Sequence, residues 1–287
     1  MYRSMLYVPA SSQRFIEKAA TRGADAVILD LEDSVSPEEK LPARERLADS
    51  IRQVSSAGAA VLVRINRPLT LAVGDVQAAV RGGADGILIT KSEGPEHIRL
   101  ILEVAEEEES RTGRRDPLRA IAVIESPAAV LKAREIAFAH PRIMGMLAGG
   151  EDLATTLDAE ASAETLRFPK LMIHMAAKAA GIASYGTLGT VADFADVDLI
   201  RALAEEARRH GFDGATCVHP SIVSILTDAF TPSAAAVEHA EGLLAAAEAA
   251  RREGKGAATY KGKMIDEPVY ERARRLLARA SRFRKAR

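Results

Sequence analysis

Cysteine occurs once in this chain of 287 residues, at Cys217. A lone thiol excludes an intrachain disulfide, and no Cys/His grouping carries the spacing of a zinc site. Neither sign of charge is in excess: 39 Lys and Arg stand against 40 Asp and Glu, a net charge of −1. That balance argues against nucleic acid or a membrane surface as partner. Long apolar runs are missing too. The first, Met5 to Ala10, soon meets Arg14, Glu17 and Lys18, so neither a signal peptide nor a membrane span is expected and the cytoplasm is the default location. No Gly-x-Gly-x-x-Gly follows that run, which disfavours a doubly wound dinucleotide-binding sheet, the runner-up fold. No repeat beyond a β-α unit and no low-complexity linker interrupts the chain.

What is there reads as a globular enzyme: 47% hydrophobic and 28% charged residues. The length suits one large barrel or two smaller domains. Strand-like runs recur at Met5–Val8, Ala26–Leu31, Ala60–Ile65, Gly86–Thr90, Ile121–Ile124, Ile143–Ala148, Ile182–Tyr185 and Gly214–Val218. Helical stretches separate them: Phe15–Gly23, Pro37–Gly58, Val73–Gly83, Pro95–Gly113, Ala128–His140, Phe168–Gly181 and Val197–Gly211. Many end in Gly, which accepts the left-handed conformation that stops a helix. The strand runs alternate little between apolar and polar, as in a parallel sheet covered on both faces. Eight such units predict a (β/α)8 TIM barrel over residues 1–232. Residues 233–287 exceed what a barrel needs and are expected to form a helical extension or lid. That segment reads as an Ala-rich helix (Ala234–Arg252), a hinge at Gly254-Lys255-Gly256, a strand-like link (Ala257–Ile265) and a basic helix (Val269–Arg284). The basic helix fits a solvated or subunit-facing surface far better than RNA binding, given the balanced whole-chain charge.

In a TIM barrel the chemistry sits where strands end and loops begin. The central stretch, residues 119–152, contains two apolar runs that each stop at acids: Glu125 after the fifth strand, Glu151 and Asp152 after the sixth. Parallel neighbours lie about 5 Å apart, so Glu125 and Asp152 can converge on one small volume. Two oxygen ligands facing a hydrated space suit Mg²⁺, which keeps several waters of its own. The alternative is that each acid merely caps the helix that follows. Other strand ends are polar as well: Asp30, Glu32 and Asp33, then Arg64 and Asn66, then Lys91, and finally His219. Buried charge is costly unless paired or metal-bound, so this mixed ring reads as an ion site with anion-binding groups beside it. Plainer readings stay open. Asp33 can start the next helix, Arg64 can be a structural partner of Glu32, Lys91 can be a pairing residue, His219 can serve a turn before Pro220, and Cys217 can be core.

Eight segments, in order, resemble the citrate lyase β-subunit and related CoA-ester lyases, within the pyruvate-type barrel aldolases. They are Ser4–Ser11, Ile28–Asp33, Val63–Asn66, Ile124–Pro127, Gly149–Leu153, Gly211–Gly214, Val218–Pro220 and Gly262–Pro268. The resemblance implies Mg²⁺ on Glu125 and Asp152, with Arg64 at the substrate carbonyl or developing enolate oxygen. It implies that Asp30 and Glu32 order water or the substrate hydroxyl. Amides of Gly150, Glu151 and Asp152 would receive a keto-acid carboxylate, and Pro9, Ser11 and Arg14 would help bind CoA. Asp266 resembles the lid carboxylate that exchanges a proton with the acetyl-CoA carbon, from its own or a neighbouring subunit; its plain alternative is a helix cap ahead of Pro268. The implied reaction is retro-Claisen cleavage of a citramalyl-CoA or malyl-CoA type thioester by a homo-oligomer, a trimer or hexamer. Citryl thioester cleavage within a complex, malyl-CoA hydrolysis and CoA-independent aldol chemistry are the alternatives. Departures near the pocket, at Arg67–Ala72, Thr90-Lys91 and Tyr185–Thr190, argue against identity with the citrate enzyme.

Overall fold

A computed structural model describes residues 1–190, 195–254 and 258–284. The chain divides into two compact units, Met1–Phe230 and Thr231–Arg287. In the first, strands β1 (Ser4–Pro9), β2 (Ala26–Asp30), β3 (Ala60–Arg64), β4 (Gly86–Ile89), β5 (Arg119–Ile124), β6 (Ile143–Ala148), β7 (Ala183–Tyr185) and β8 (Ala215–Cys217) form one parallel sheet. Its order is β7-β6-β5-β4-β3-β2-β1-β8. The outermost strands meet at the bridge Tyr185–Gly214, beside which the Gly186 amide donates to the Gly214 carbonyl at 2.8 Å, and this brings the sheet to a nearly closed TIM barrel.

Side-chain alternation divides the apolar residues between two cores. Met5, Ile28, Leu62, Leu88, Ile121 and Leu147 fill the barrel interior. Leu6, Val27, Leu29, Val61, Val63 and Ile87 face the surrounding helices. Both faces are therefore buried, which is why the strands read as nearly unbroken apolar runs. The helices are α1 (Gln13–Ala19), α2 (Lys40–Glu45), α3 (Leu47–Ser55), α4 (Leu69–Gly82), α5 (Pro95–Thr112), α6 (Pro127–Leu131), α7 (Ala133–Ala137), α8 (Gly150–Thr156), α9 (Ala163–Ala179), α10 (Val197–His210) and α11 (Ile222–Phe230).

Several boundaries differ from the sequence expectation. The stretch 37–58 is a 3-10 turn followed by two helices, broken at Arg46 (φ −86°, ψ −1°), whose amide bonds back to Pro42 and Arg44 carbonyls. The stretch 128–140 is likewise broken, at Lys132 (φ −101°, ψ 11°). Helix α9 starts five residues earlier than its apolar period suggests, because Ser162 and Thr165 form a reciprocal cap. The short α8, directly after Gly149, carries too few residues to show a period.

The second unit contains α12 (Ala234–Arg252), the antiparallel pair β9 (Ala258–Tyr260) and β10 (Lys263–Ile265), and α13 (Glu267–Arg284). The expected strand-like link is thus a hairpin, turned by Lys261 and Gly262 at φ 49° and 76°. Of the expected hinge, Lys255 and Gly256 lie outside the described residues. Among the described residues no helix is long and apolar enough to cross a membrane.

Candidate active site

Register delivers the polar residues to one rim. Pro9 pairs with Asp30, Asp30 with Arg64, and Ile124 with Ala148, so adjacent strands end at the same height. Above them opens a cavity of about 360 Å³. Of the residues singled out in the sequence, Pro9, Asp30, Asp33, Arg64, Glu125, Gly150, Glu151 and Asp152 line it. Ser11 and Arg14 do not line it; Arg14 is exposed on α1. Asp266 belongs to the second unit, exposed, where its Oδ1 accepts the Val269 amide at 3.1 Å and caps α13. His219 bonds Ser221 at 2.7 Å through Nδ1, a turn contact, and Cys217 is buried, its thiol pushed up to about 12 by that burial.

Arg64 is the best-anchored group of the rim. Its Nε and Nη2 both donate to Asp30 at 2.6 Å in a fork-to-fork pair. Its Nη1 lies 3.0 Å from Glu32 and 3.1 Å from Asp33, and the guanidinium stands over the Tyr7 ring at 5.0 Å. Burial opposes ionisation of Asp30, but the Arg64 bonds and charge, with donors from Ser34 and the Glu32 amide, outweigh it and hold the carboxyl below its ordinary range. Both Asp30 oxygens are thereby occupied by protein donors. Asp30, expected to order water or a substrate hydroxyl, thus fixes Arg64 from the cavity wall. Glu32 is buried, donors notwithstanding, and burial raises its pKa although Lys91 and Arg64 pull it down.

The Glu125 carboxyl is strongly perturbed. Burial, then the charges of Glu32 and Asp152, push it up to about 7 against the opposing amide and charge of Lys91. The Lys91 amide reaches its Oε2 at 2.5 Å. That aim requires Lys91 in the left-handed region, φ 45°, a strained state for a residue with a Cβ. The Lys91 ammonium then sits 2.6 Å from Glu32 and 3.9 Å from both Asp33 and Asp152. Across the cleft, Gly149 leaves no room for a Cβ, because the Glu125 carboxylate occupies that space. Asp152, in the first turn of α8, is half-exposed to the cavity.

This geometry fits a divalent cation. Mutually repelling carboxyls, one of them buried with a raised pKa, are what a cation relieves. Among the described residues no three His, Cys, Asp or Glu are arranged to hold a metal. A cation here would therefore take Glu125 and Asp152 and complete its shell with water, which suits Mg²⁺.

The HpcH/HpaI aldolase/citrate lyase family model matches residues 3–220. The chain belongs to this family. Citrate lyase subunit beta of Escherichia coli (strain K12) is 34% identical over 285 residues, covering 97% of this chain and 93% of the relative. The (3S)-malyl-CoA thioesterase of Cereibacter sphaeroides (strain ATCC 17025 / ATH 2.4.3) is 36% identical over 282 residues, covering 97% and 94%. CitE from Mycobacterium tuberculosis, solved in complex with magnesium, acetoacetate and coenzyme A, superposes with a TM-score of 0.76 at 31% identity, covering 97% of each chain. The family is enzymatic and includes relatives acting on CoA esters.

Two groups at the family's site escaped the sequence reading. Tyr7 faces into the barrel beneath Arg64, and burial pushes its phenol up. Lys170, on α9, borders the cavity from behind Gly150. A signal for Lys170 did exist: it stands four residues after Leu166 and three before Ile173, on the helix's buried stripe.

Proposed function

We propose that the chain is a Mg²⁺-dependent carbon–carbon lyase of the cytoplasm that cleaves a β-hydroxyacyl-CoA, of citramalyl-CoA or malyl-CoA type, to acetyl-CoA and a 2-keto acid. The observation that carries this reading is the pairing of Glu125 and Asp152 at one cavity, on adjacent strand ends, with the anchored Arg64 beside them. It is supported by the magnesium, acetoacetate and coenzyme A of the Mycobacterium tuberculosis relative.

Glu125 and Asp152 would hold the Mg²⁺, which supplies Lewis-acid polarisation and lowers the pKa of a bound hydroxyl. The chain's own groups do the rest. Amides of Gly150, Glu151 and Asp152, unpaired at the start of α8, receive the carboxylate of the keto-acid half. The substrate hydroxyl passes its proton to water in the cavity, its electron pair forms the keto carbonyl, the carbon–carbon bond breaks, and acetyl-CoA leaves as its enolate. Arg64, held rigid by Asp30 and Glu32, places positive charge where the enolate oxygen develops, an effect typically worth about 3 kcal/mol. Asp266 is assigned the proton delivered to the enolate carbon. Pro9 at the rim and the loop through Ser11 and Arg14 are assigned to CoA. The active form is taken to be a homo-oligomer, a trimer or hexamer, which light scattering measures directly.

A second reading is favoured by the 36% identity to a malyl-CoA thioesterase: water intercepts the same activated thioester. Purified protein with Mg²⁺ and a panel of malyl-, citramalyl- and citryl-CoA separates the two. The lyase releases keto acid from one of these substrates, and the release vanishes in Asp152→Ala. Free CoA with intact hydroxy acid overturns the lyase reading in favour of hydrolysis.

A further inference from the structure

Lysine is almost never fully buried unless its charge is paired, and Lys170 breaks that pattern. It is 6% exposed, on the inner face of α9. Among the described residues its ammonium makes one hydrogen bond, to the Gly189 carbonyl at 2.5 Å, and no ion pair. The nearest acid that favours its charge, Glu151, is exposed and already receives the Thr190 hydroxyl. Burial accordingly pushes Lys170 down to about 8. An ammonium has three donors, and only one is used. The side chain lines the main cavity and also walls a small void behind it, beside Tyr185 and Phe212. It presses on the Gly149-Gly150 turn closely enough that a Cβ on Gly150 would lie 3.4 Å from its nitrogen.

We infer that Lys170 is a substrate-binding residue whose ammonium pairs with the carboxylate of the 2-keto acid, so that the site selects acyl groups carrying that charge. The inference rests on the reading of this cavity as a keto-acid site and adds the residue that provides charge selection there. Helix α9 supplies the rigidity: the lysine stands on its buried stripe with Leu166 and Ile173, and the Gly189 carbonyl at the cavity wall holds one N–H. A carboxylate arriving at the Gly150 turn would satisfy the donors left over. A neutral acyl group would leave the ammonium buried without a counter-charge.

The test compares pyruvate with methyl pyruvate, which lacks the negative charge, by calorimetric titration of the Mg²⁺-loaded full chain. Wild type is expected to prefer pyruvate. Lys170→Met should weaken pyruvate by roughly 10- to 100-fold, as for loss of a hydrogen bond to a charged group, and leave methyl pyruvate unchanged. Lys170→Arg should keep the preference, which guards against a Met variant that fails to fold. An unchanged preference in Lys170→Met, or equal weakening of both ligands, overturns the inference while leaving the keto-acid site standing. Wild type that binds neither pyruvate nor oxaloacetate overturns the keto-acid reading itself and this inference with it.

Discussion

At the residue scale the site turns on one glycine-sized gap and one reluctant acid. The missing Cβ of Gly149 is the space the Glu125 carboxylate fills. That side chain is buried and held by the Lys91 amide, and its Cγ too would lie 2.6 Å from the new Cβ, so Gly149→Ala should cost about 1–3 kcal/mol of stability, the usual cost of overpacking. It should also displace the proposed metal ligand, and misplacement by about 1 Å commonly costs about 10²-fold in rate. Thermal melts alongside Mg²⁺-dependent turnover check this; unchanged turnover would show that Glu125 does not need its present position. Glu125 also links stability to pH. Its folded pKa, about 7, is raised above the ordinary carboxylate value of 4.5, so the fold prefers the protonated form. The stabilisation is full below the unfolded value and is lost as pH rises through about 7. In chelator, wild type should therefore lose Tm between pH 5 and 8 relative to Glu125→Gln, and Mg²⁺ should restore it at the upper end. Parallel profiles for the two proteins in chelator would contradict the assignment.

The strand-end acids were legible in the sequence because a buried apolar run that stops at a carboxylate, as at Ile124-Glu125, leaves few other places for the charge. What each acid does was less so. Asp30 and Asp152 look alike on paper, yet one is saturated by Arg64 and Ser34 while the other faces the cavity. Lys91 reads as a pairing residue, and it is one; its left-handed backbone, which aims the amide at Glu125, has no signature in sequence.

At the scale of elements, the eight strands were readable to within two residues at each end because burial on both faces leaves an almost purely apolar string. Helix breaks at Arg46 and Lys132 were not, since neither residue is a helix breaker. Closure of the barrel depends on Gly214. A Cβ there would meet main-chain atoms of Tyr2 and Arg3, the Arg3 carbonyl at 2.8 Å, and main chain cannot swing aside. Gly214 also accepts the Gly186 amide at 2.8 Å and forms the bridge that joins the sheet's two outermost strands. Gly214→Ala should thus destabilise the fold by about 1–3 kcal/mol, the usual cost of overpacking, read as a lower urea midpoint. An unshifted midpoint would mean that the β7–β8 seam is not needed for stability.

At the scale of the whole molecule, chemistry and proton delivery are assigned to separate parts of the chain. Residues 3–220 match the family, while Asp266 lies in the second unit, where its carboxylate accepts the Val269 amide and caps α13. On the proposed mechanism Asp266→Ala keeps Mg²⁺ and keto-acid affinity and loses about 10²–10⁴-fold in turnover, the range for a positioned acid. Loss of a cap alone costs about 1 kcal/mol of stability and leaves turnover intact. Single-turnover kinetics with parallel keto-acid titration distinguishes a proton donor from a cap.

The cation that Glu125 and Asp152 are said to share is the claim on which the lyase reading stands. Anomalous diffraction from a crystal grown with Mn²⁺ in place of Mg²⁺ tests it most directly. The account predicts one strong peak between those two carboxylates, facing the cavity beside Arg64, and none in Asp152→Ala. A peak elsewhere, or the same peak in that variant, would contradict it.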